Sequence, residues 1–335
     1  MQKHLVIIGA GAAGLPVASQ VRKKNKDIDI TVITDRKYFA YSPCGIPFVF
    51  SGMITSFDTL VLRDKKYYSE MDINILNETT VDKIDLDTNE IFFGNEKLKY
   101  DTLVIATGAK PIIPPIPGIN LEGIYFLNSL EDALKISDAL KNTKSPTIIG
   151  AGAIGLEMAH AFLKKGLKSR LIEMKDRVLP NMLDKDMSNI VEDYLSSLNM
   201  NVHTSTVASS FIGSKEVTHV KANGNEFETD LVLVSVGVRP NVELAKNAGI
   251  ETGITGAIVT DASLRVRRHG KYLKNVYACG NCIEVTDIIT HKSTISALGS
   301  TAIRQGVLVA DNILGKNSVF GSISSPSIAV IGELE

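Results

Sequence analysis

Cysteine is scarce: three residues in a chain of 335 cannot build a disulfide framework. A reducing, cytoplasmic setting is therefore the expectation. Tryptophan is absent, so any absorbance beyond tyrosine would come from something bound. An excess of charge of either sign is also lacking, because the formal net charge is -1. That balance gives no reason to expect nucleic acid or an anionic membrane as partner. No apolar run approaches the roughly 20 residues that a membrane helix needs. Met1-Gln2-Lys3-His4 leads straight into a strand-like run, which leaves no room for a signal peptide. What remains is ordinary globular composition, 44% hydrophobic and 22% charged, with length enough for two cores.

Glycine is placed, not scattered. Residues 4–8 read as a buried strand and are followed by Gly9-Ala10-Gly11-Ala12-Ala13-Gly14. A helix from about Leu15 to Lys24 and a second strand over 28–34, closing on Asp35, complete a strand–turn–helix–strand unit. The pattern returns at 145–149, with Gly150-Ala151-Gly152-Ala153-Ile154-Gly155, a helix over 156–165, and a strand at 168–172 leading to Glu173. In such a turn the first glycine permits the bend and the second admits a pyrophosphate. The third lets helix and strand pack. The anion then sits on the helix N-terminus. An acid roughly 20 residues on accepts a hydrogen bond from the adenosine ribose, the place taken by Asp35 and Glu173. A carboxylate at 173 suits the free 2'-hydroxyl of NADH, and nearby Lys175 and Arg177 could soften that preference toward NADPH.

Two more buried strands end in small-residue turns, 101–108 at Ala106-Thr107-Gly108 and 230–237 at Gly237. A third runs from Asn275 to the Cys279-Gly280-Asn281 turn, with a helix expected over about 293–314. Four prolines between Pro111 and Pro117 make a stiff connector. The reading is α/β with two Rossmann-like domains, one inserted in the other. The expected segments are 1–112, an insertion 113–245, a return over 246–321, and a terminal piece 322–335.

Cys44 stands in Ser42-Pro43-Cys44-Gly45-Ile46-Pro47. A free cysteine serves either as a small buried apolar residue or as a reactive thiol, and a helix start lowers a thiol's pKa. Pro47 suits the first turn of such a helix. Cys279 and Cys282 form a Cys-x-x-Cys, open to reading as a dithiol pair or as strand-end packing. No second such pair completes a metal site, and none is expected.

Together these motifs resemble the flavin- and nicotinamide-dependent disulfide reductases with a single redox cysteine. That group includes coenzyme A-disulfide reductases, NADH oxidases and persulfide reductases, and its fold is glutathione-reductase-like. The resemblance runs through both fingerprints, the Cys44 motif, Ala106-Thr107-Gly108, Gly237-Val238-Arg239-Pro240-Asn241 and Tyr277-Ala278-Cys279-Gly280-Asn281. It implies FAD at Gly9, Gly11, Ala13, Gly14, Asp35, Val81, Ala106, Thr107, Gly108, Gly280 and Asn281. It implies NADH, or NADPH, at Gly150, Gly152, Ile154, Gly155, Glu173 and Gly237. Cys44 would be the catalytic thiol, and Gln20, Arg22, Ser42 and Arg304 would contact the substrate. The implied acceptor is a small disulfide, persulfide or polysulfide, coenzyme A disulfide among them. The alternative is oxygen, through a Cys44 sulfenic acid.

Departures from the family pattern narrow this. Val49 stands where two-cysteine reductases carry their second cysteine, and Ala12 where NADH peroxidases carry a histidine. Ala40 and Pro43 replace the serine and asparagine common in coenzyme A-disulfide reductases, and Asn281 replaces the aspartate of the third flavin motif. The family usually continues into a dimer-forming domain of roughly a hundred residues. Residues 322–335 therefore read as the stub of that domain. A homodimer is the expectation for the full family architecture, and a flavin-binding fragment without turnover is a further alternative for this chain.

Overall fold

A computed structural model describes residues 3–324, 326 and 328–334. The outermost residues of the expected segments 1–112 and 322–335 lie outside the described residues. The chain divides into two compact units. The first comprises 1–41, 61–110 and 240–325, and the second 42–60, 111–239 and 326–335.

The first unit is built on a six-stranded sheet in the order 265–268, 271–278, 102–105, 4–8, 29–33, 73–76. All its pairings are parallel except the outermost, 265–268 with 271–278. The His4–Ile8 strand is central, with Ile7 in register with Val32 on one side and Val104 on the other. Burial on both faces explains its unbroken apolar run: Leu5, Val6 and Ile7 are almost wholly excluded from solvent. The helix Gly14–Lys24 covers one face and packs along the late helix Gly299–Ile313.

The second unit repeats the plan with five parallel strands, ordered 201–203, 170–172, 146–149, 231–234, 124–126. Each unit also carries a three-stranded antiparallel sheet, 83–99 in the first and 208–228 in the second. A shared plan is what two copies of one glycine fingerprint predict.

Four features differ from the sequence expectation. The inserted segment runs 111–239 instead of 113–245. Residues 42–60, read as part of the first domain, pack with the second unit. The cause is the short helix Ile46–Phe50, which buries Phe50 edge-on against Phe162 at 6.4 Å and against Phe57 at 5.2 Å. The terminal piece also belongs to the second unit from residue 326, where Ile331 is buried and the Glu333 N–H donates to the Tyr194 hydroxyl at 2.9 Å. The helix expected over 293–314 is shorter, Gly299–Ile313, because Ser293–Thr294 pairs with Val285–Thr286 as a small hairpin.

Candidate nucleotide and thiol sites

In each unit a glycine turn links the central strand to its helix, and each glycine meets different surroundings. Gly9 has φ 113° and Gly150 φ 104°, a region closed to side chains. A Cβ on Gly9 would strike the Ala106 carbonyl, and one on Gly150 the Ser235 carbonyl. A Cβ on Gly14 or Gly155 would strike the carbonyl of the first glycine of its own turn. At the middle glycines, Gly11 and Gly152, a Cβ would meet nothing within 4 Å. The outer glycines are thus demanded by the fold, and the middle ones open onto free space. The residues present therefore fit a bound pyrophosphate, which needs close backbone approach at that position. Ala13 is buried at the head of its helix, and Ile154 is exposed in the first turn of the other.

The two acids are placed differently. Asp35 follows its strand as an exposed side chain, 3.7 Å from Arg36. Glu173 is only 6% exposed. Its Oε2 accepts from the Ala151 N–H and its Oε1 from the Lys175 N–H, both at 2.7 Å. The following loop folds back, with the Leu179 N–H donating to the Ala151 carbonyl at 2.8 Å. Leu179 holds a left-handed φ of 48°, unusual for a bulky residue, and marks how tightly this loop is tied to the turn. Neither Glu173's clamp nor Leu179 is announced by a motif.

The other strand-end turns also lie beside the glycines. Ala106 is buried, and Thr107 donates its hydroxyl to the Asn241 carbonyl at 2.6 Å. Gly108 and Gly237 take positive φ, 67° and 101°. Gly280 is buried with Asn281 half-buried beside it, and Val81 packs partly buried on the first unit's core.

Cys44 sits in the short 3-10 turn Pro43–Gly45 that runs directly into Ile46–Phe50, with Pro47 in the helix's first turn. Its thiol is free and exposed. Ser42 heads the turn, donating its N–H to the Leu60 carbonyl at 3.0 Å, and Gly45 is packed against Leu60. Cys279 and Cys282 are free and wholly buried. Cys282 Sγ donates to the carbonyls of Cys279 at 3.3 Å and Ile105 at 3.5 Å. Burial pushes both thiols up, Cys279 the further. That is the setting of packing residues, not of a reactive dithiol. No group of His, Cys, Asp and Glu able to hold a metal occurs among the described residues.

One substrate expectation needs correction. Arg22 is 3% exposed. Its guanidinium donates to the carbonyls of Lys26 at 2.8 Å, Ile28 at 2.7 Å and Asp72 at 2.9 Å. Those bonds stitch the end of the first helix to the turns that lead into the Asp29–Ile33 and Ile73–Leu76 strands, and leave no face for a ligand's phosphates. Gln20 is half-buried on the same helix, and Arg304 is exposed, its guanidinium 5.8 Å from the Phe320 ring centre. No described helix is long and apolar enough to cross a membrane.

Comparison with known proteins gives a consistent picture. The sequence model described as "Pyridine nucleotide-disulphide oxidoreductase" matches residues 3–306. An NADH oxidase of Methanocaldococcus jannaschii is 41% identical over 338 residues, 98% of this chain and 74% of that protein. An NAD(P)H sulfur oxidoreductase (CoA-dependent) of Pyrococcus furiosus is 33% identical, across all of this chain and 75% of its own length. Among solved structures, an NAD-dependent persulfide reductase from A. fulgidus superposes with a TM-score of 0.93 at 37% identity. That match covers 98% of this chain but only 62% of the reductase. The chain thus spans about three-quarters of the curated relatives and about three-fifths of the solved one.

Proposed function

The chain belongs to the pyridine nucleotide-disulphide oxidoreductase family, and from that premise we propose that it is an FAD-dependent NADH oxidoreductase whose Cys44 cleaves a small disulfide, persulfide or polysulfide. The observation that carries the reading is the exposed Cys44 thiol in a chain whose other two thiols are buried. It occurs together with two turns whose middle glycines open onto free space. We assign the first turn to FAD and the second to NADH, with NADPH disfavoured by the Glu173 carboxylate. When bound, FAD supplies a relay that takes up hydride and releases electron pairs to sulfur.

The chain's own residues do the remaining work. Gly11 and Gly152 leave room for pyrophosphate oxygens at free helix N–H groups. Glu173 keeps lone pairs beyond its two backbone bonds, since a carboxylate has about four acceptor sites. It can therefore still accept from a ribose hydroxyl. Cys44 acts as thiolate: its sulfur attacks one sulfur of the substrate, a Cys44–sulfur bond forms, and the other half leaves as thiolate. Two electrons from NADH then break that mixed bond. In sum, NADH, a proton and one disulfide become NAD+ and two thiols.

Coenzyme A persulfides and disulfides are the favoured substrates, supported by the CoA-dependent sulfur oxidoreductase among the relatives. Gln20 and Arg304 are the remaining polar positions assigned to its nucleotide. Three free thiols suit a reducing cytoplasm. A second reading, oxygen as acceptor through a Cys44 sulfenic acid, is favoured by the description of the M. jannaschii relative as an NADH oxidase. Anaerobic reduction with NADH, followed by coenzyme A disulfide, polysulfide or oxygen in turn, separates the two. Flavin reoxidation by a sulfur acceptor that is lost in Cys44→Ser supports the first. Reoxidation by oxygen alone refutes it.

A further inference from the structure

The turn at Gly280 is held by a side chain outside every motif. Gln305 lies on the inward face of the Gly299–Ile313 helix, in step with Ala302 and Val309, and is 1% exposed. Its Oε1 accepts from the Gly280 N–H at 2.7 Å. Its Nε2 is equally buried and has no partner. The orientation of the amide follows from the chemistry, because an N–H at Gly280 requires the oxygen to face it. A buried amide half without a partner costs about 1–3 kcal/mol, so its retention calls for an acceptor.

The surroundings show where that acceptor belongs. The next residue, Gly306, lies so close to the Ala13 carbonyl that a Cβ there would collide. A Cβ on Gly280 would come within 3.0 Å of the Ala13 side chain. One turn of the late helix therefore touches both the fingerprint and the Gly280–Asn281 turn, the two pieces assigned above to FAD. The third motif carries Asn281, a neutral residue, so the turn offers no carboxylate there to hold the site.

We propose that Gln305 is a positioning residue of the flavin site: Oε1 fixes the Gly280–Asn281 turn, and Nε2 is a donor completed by an oxygen of the bound flavin nucleotide. The inference rests on the assignment of FAD to the first unit. Both halves of the amide are thus used only when the site is filled.

The test is FAD titration of the apoprotein, read by flavin fluorescence, with two variants and a pH series. Gln305→Met has similar length and no polar hydrogen-bonding head, and should bind FAD at least tenfold more weakly at every pH. Gln305→Glu can still donate while its buried carboxyl is protonated. It should bind nearly as wild type at low pH and lose affinity as pH rises, relative to wild type at the same pH. A Gln305→Met protein that binds within twofold of wild type overturns the proposal. If that variant does not fold, the Glu variant decides: a constant ratio to wild type from pH 5 to 9 overturns it. A wild-type chain that takes up no FAD refutes the flavin assignment itself, and this inference with it.

Discussion

Replacing Glu173 by glutamine removes one of the two carboxylate oxygens that hold the second glycine turn to its following loop. Glutamine keeps one acceptor, for either the Ala151 or the Lys175 N–H, each now bonded at 2.7 Å. The other N–H would face an amide NH2 in a site only 6% exposed. Leaving one buried donor unsatisfied costs about 1–3 kcal/mol. In a unit of this size each kcal/mol shifts the melting temperature by about 2–4 °C. The apoprotein should therefore melt roughly 2–12 °C lower, by calorimetry or far-UV dichroism. The same change removes a negative charge from the ribose position. NADPH should gain on NADH in relative kcat/KM, since the 2'-phosphate no longer meets a carboxylate. A variant that melts within a degree of wild type would refute the structural part. An unchanged NADH-to-NADPH ratio would refute the assignment of Glu173 to the nicotinamide nucleotide.

Other outcomes follow from the same geometry. Gly11→Ala should leave apoprotein stability within about 1 kcal/mol, since its Cβ meets nothing, yet weaken FAD binding; Gly14→Ala should cost about 1–3 kcal/mol or more from overpacking against the Gly9 carbonyl. Calorimetry and flavin titration read the two separately. Iodoacetamide on the native protein should label Cys44 alone, with Cys279 and Cys282 reacting only after denaturation, as mass spectrometry of digests would show. His160 is buried, and that burial, with Lys164 nearby, holds its pKa below the ordinary value. Its unfolded form binds protons more readily, so its contribution is present above about pH 6.5 and is lost as pH falls through the lower folded value. His160→Gln should flatten the fall in melting temperature between pH 7 and 5. Glu157, raised by burial, contributes with the opposite sign and needs its own variant.

Much of the fold was legible because its signals are local and repeated. A four-residue apolar run, Leu5 to Ile8, before a glycine turn fixes a buried strand, and the second copy at 150–155 shows the same plan twice. The outer glycines were readable for the same reason, since no other residue tolerates their contacts. Long-range packing was not. The placement of residues 42–60 depends on Phe50 meeting Phe162, more than a hundred positions away, which no periodicity encodes. Arg22 read as a basic residue free to bind phosphate, but carbonyls from the turns before two strands converge on it only in the folded chain. Gln305 left a faint trace, a polar residue in step with Ala302 and Val309 on a helix's buried face. The helical period places it inside, but only the fold supplies its partner.

The proposed chemistry requires Cys44 to form the covalent bond to substrate sulfur. Intact-mass spectrometry of the protein incubated anaerobically with coenzyme A disulfide, after prior reduction with NADH, tests it directly. One coenzyme A adduct per chain is expected, located on the Cys44 peptide, absent in Cys44→Ser and removed by further NADH. An unmodified chain, or an adduct on Cys279 or Cys282, would contradict it.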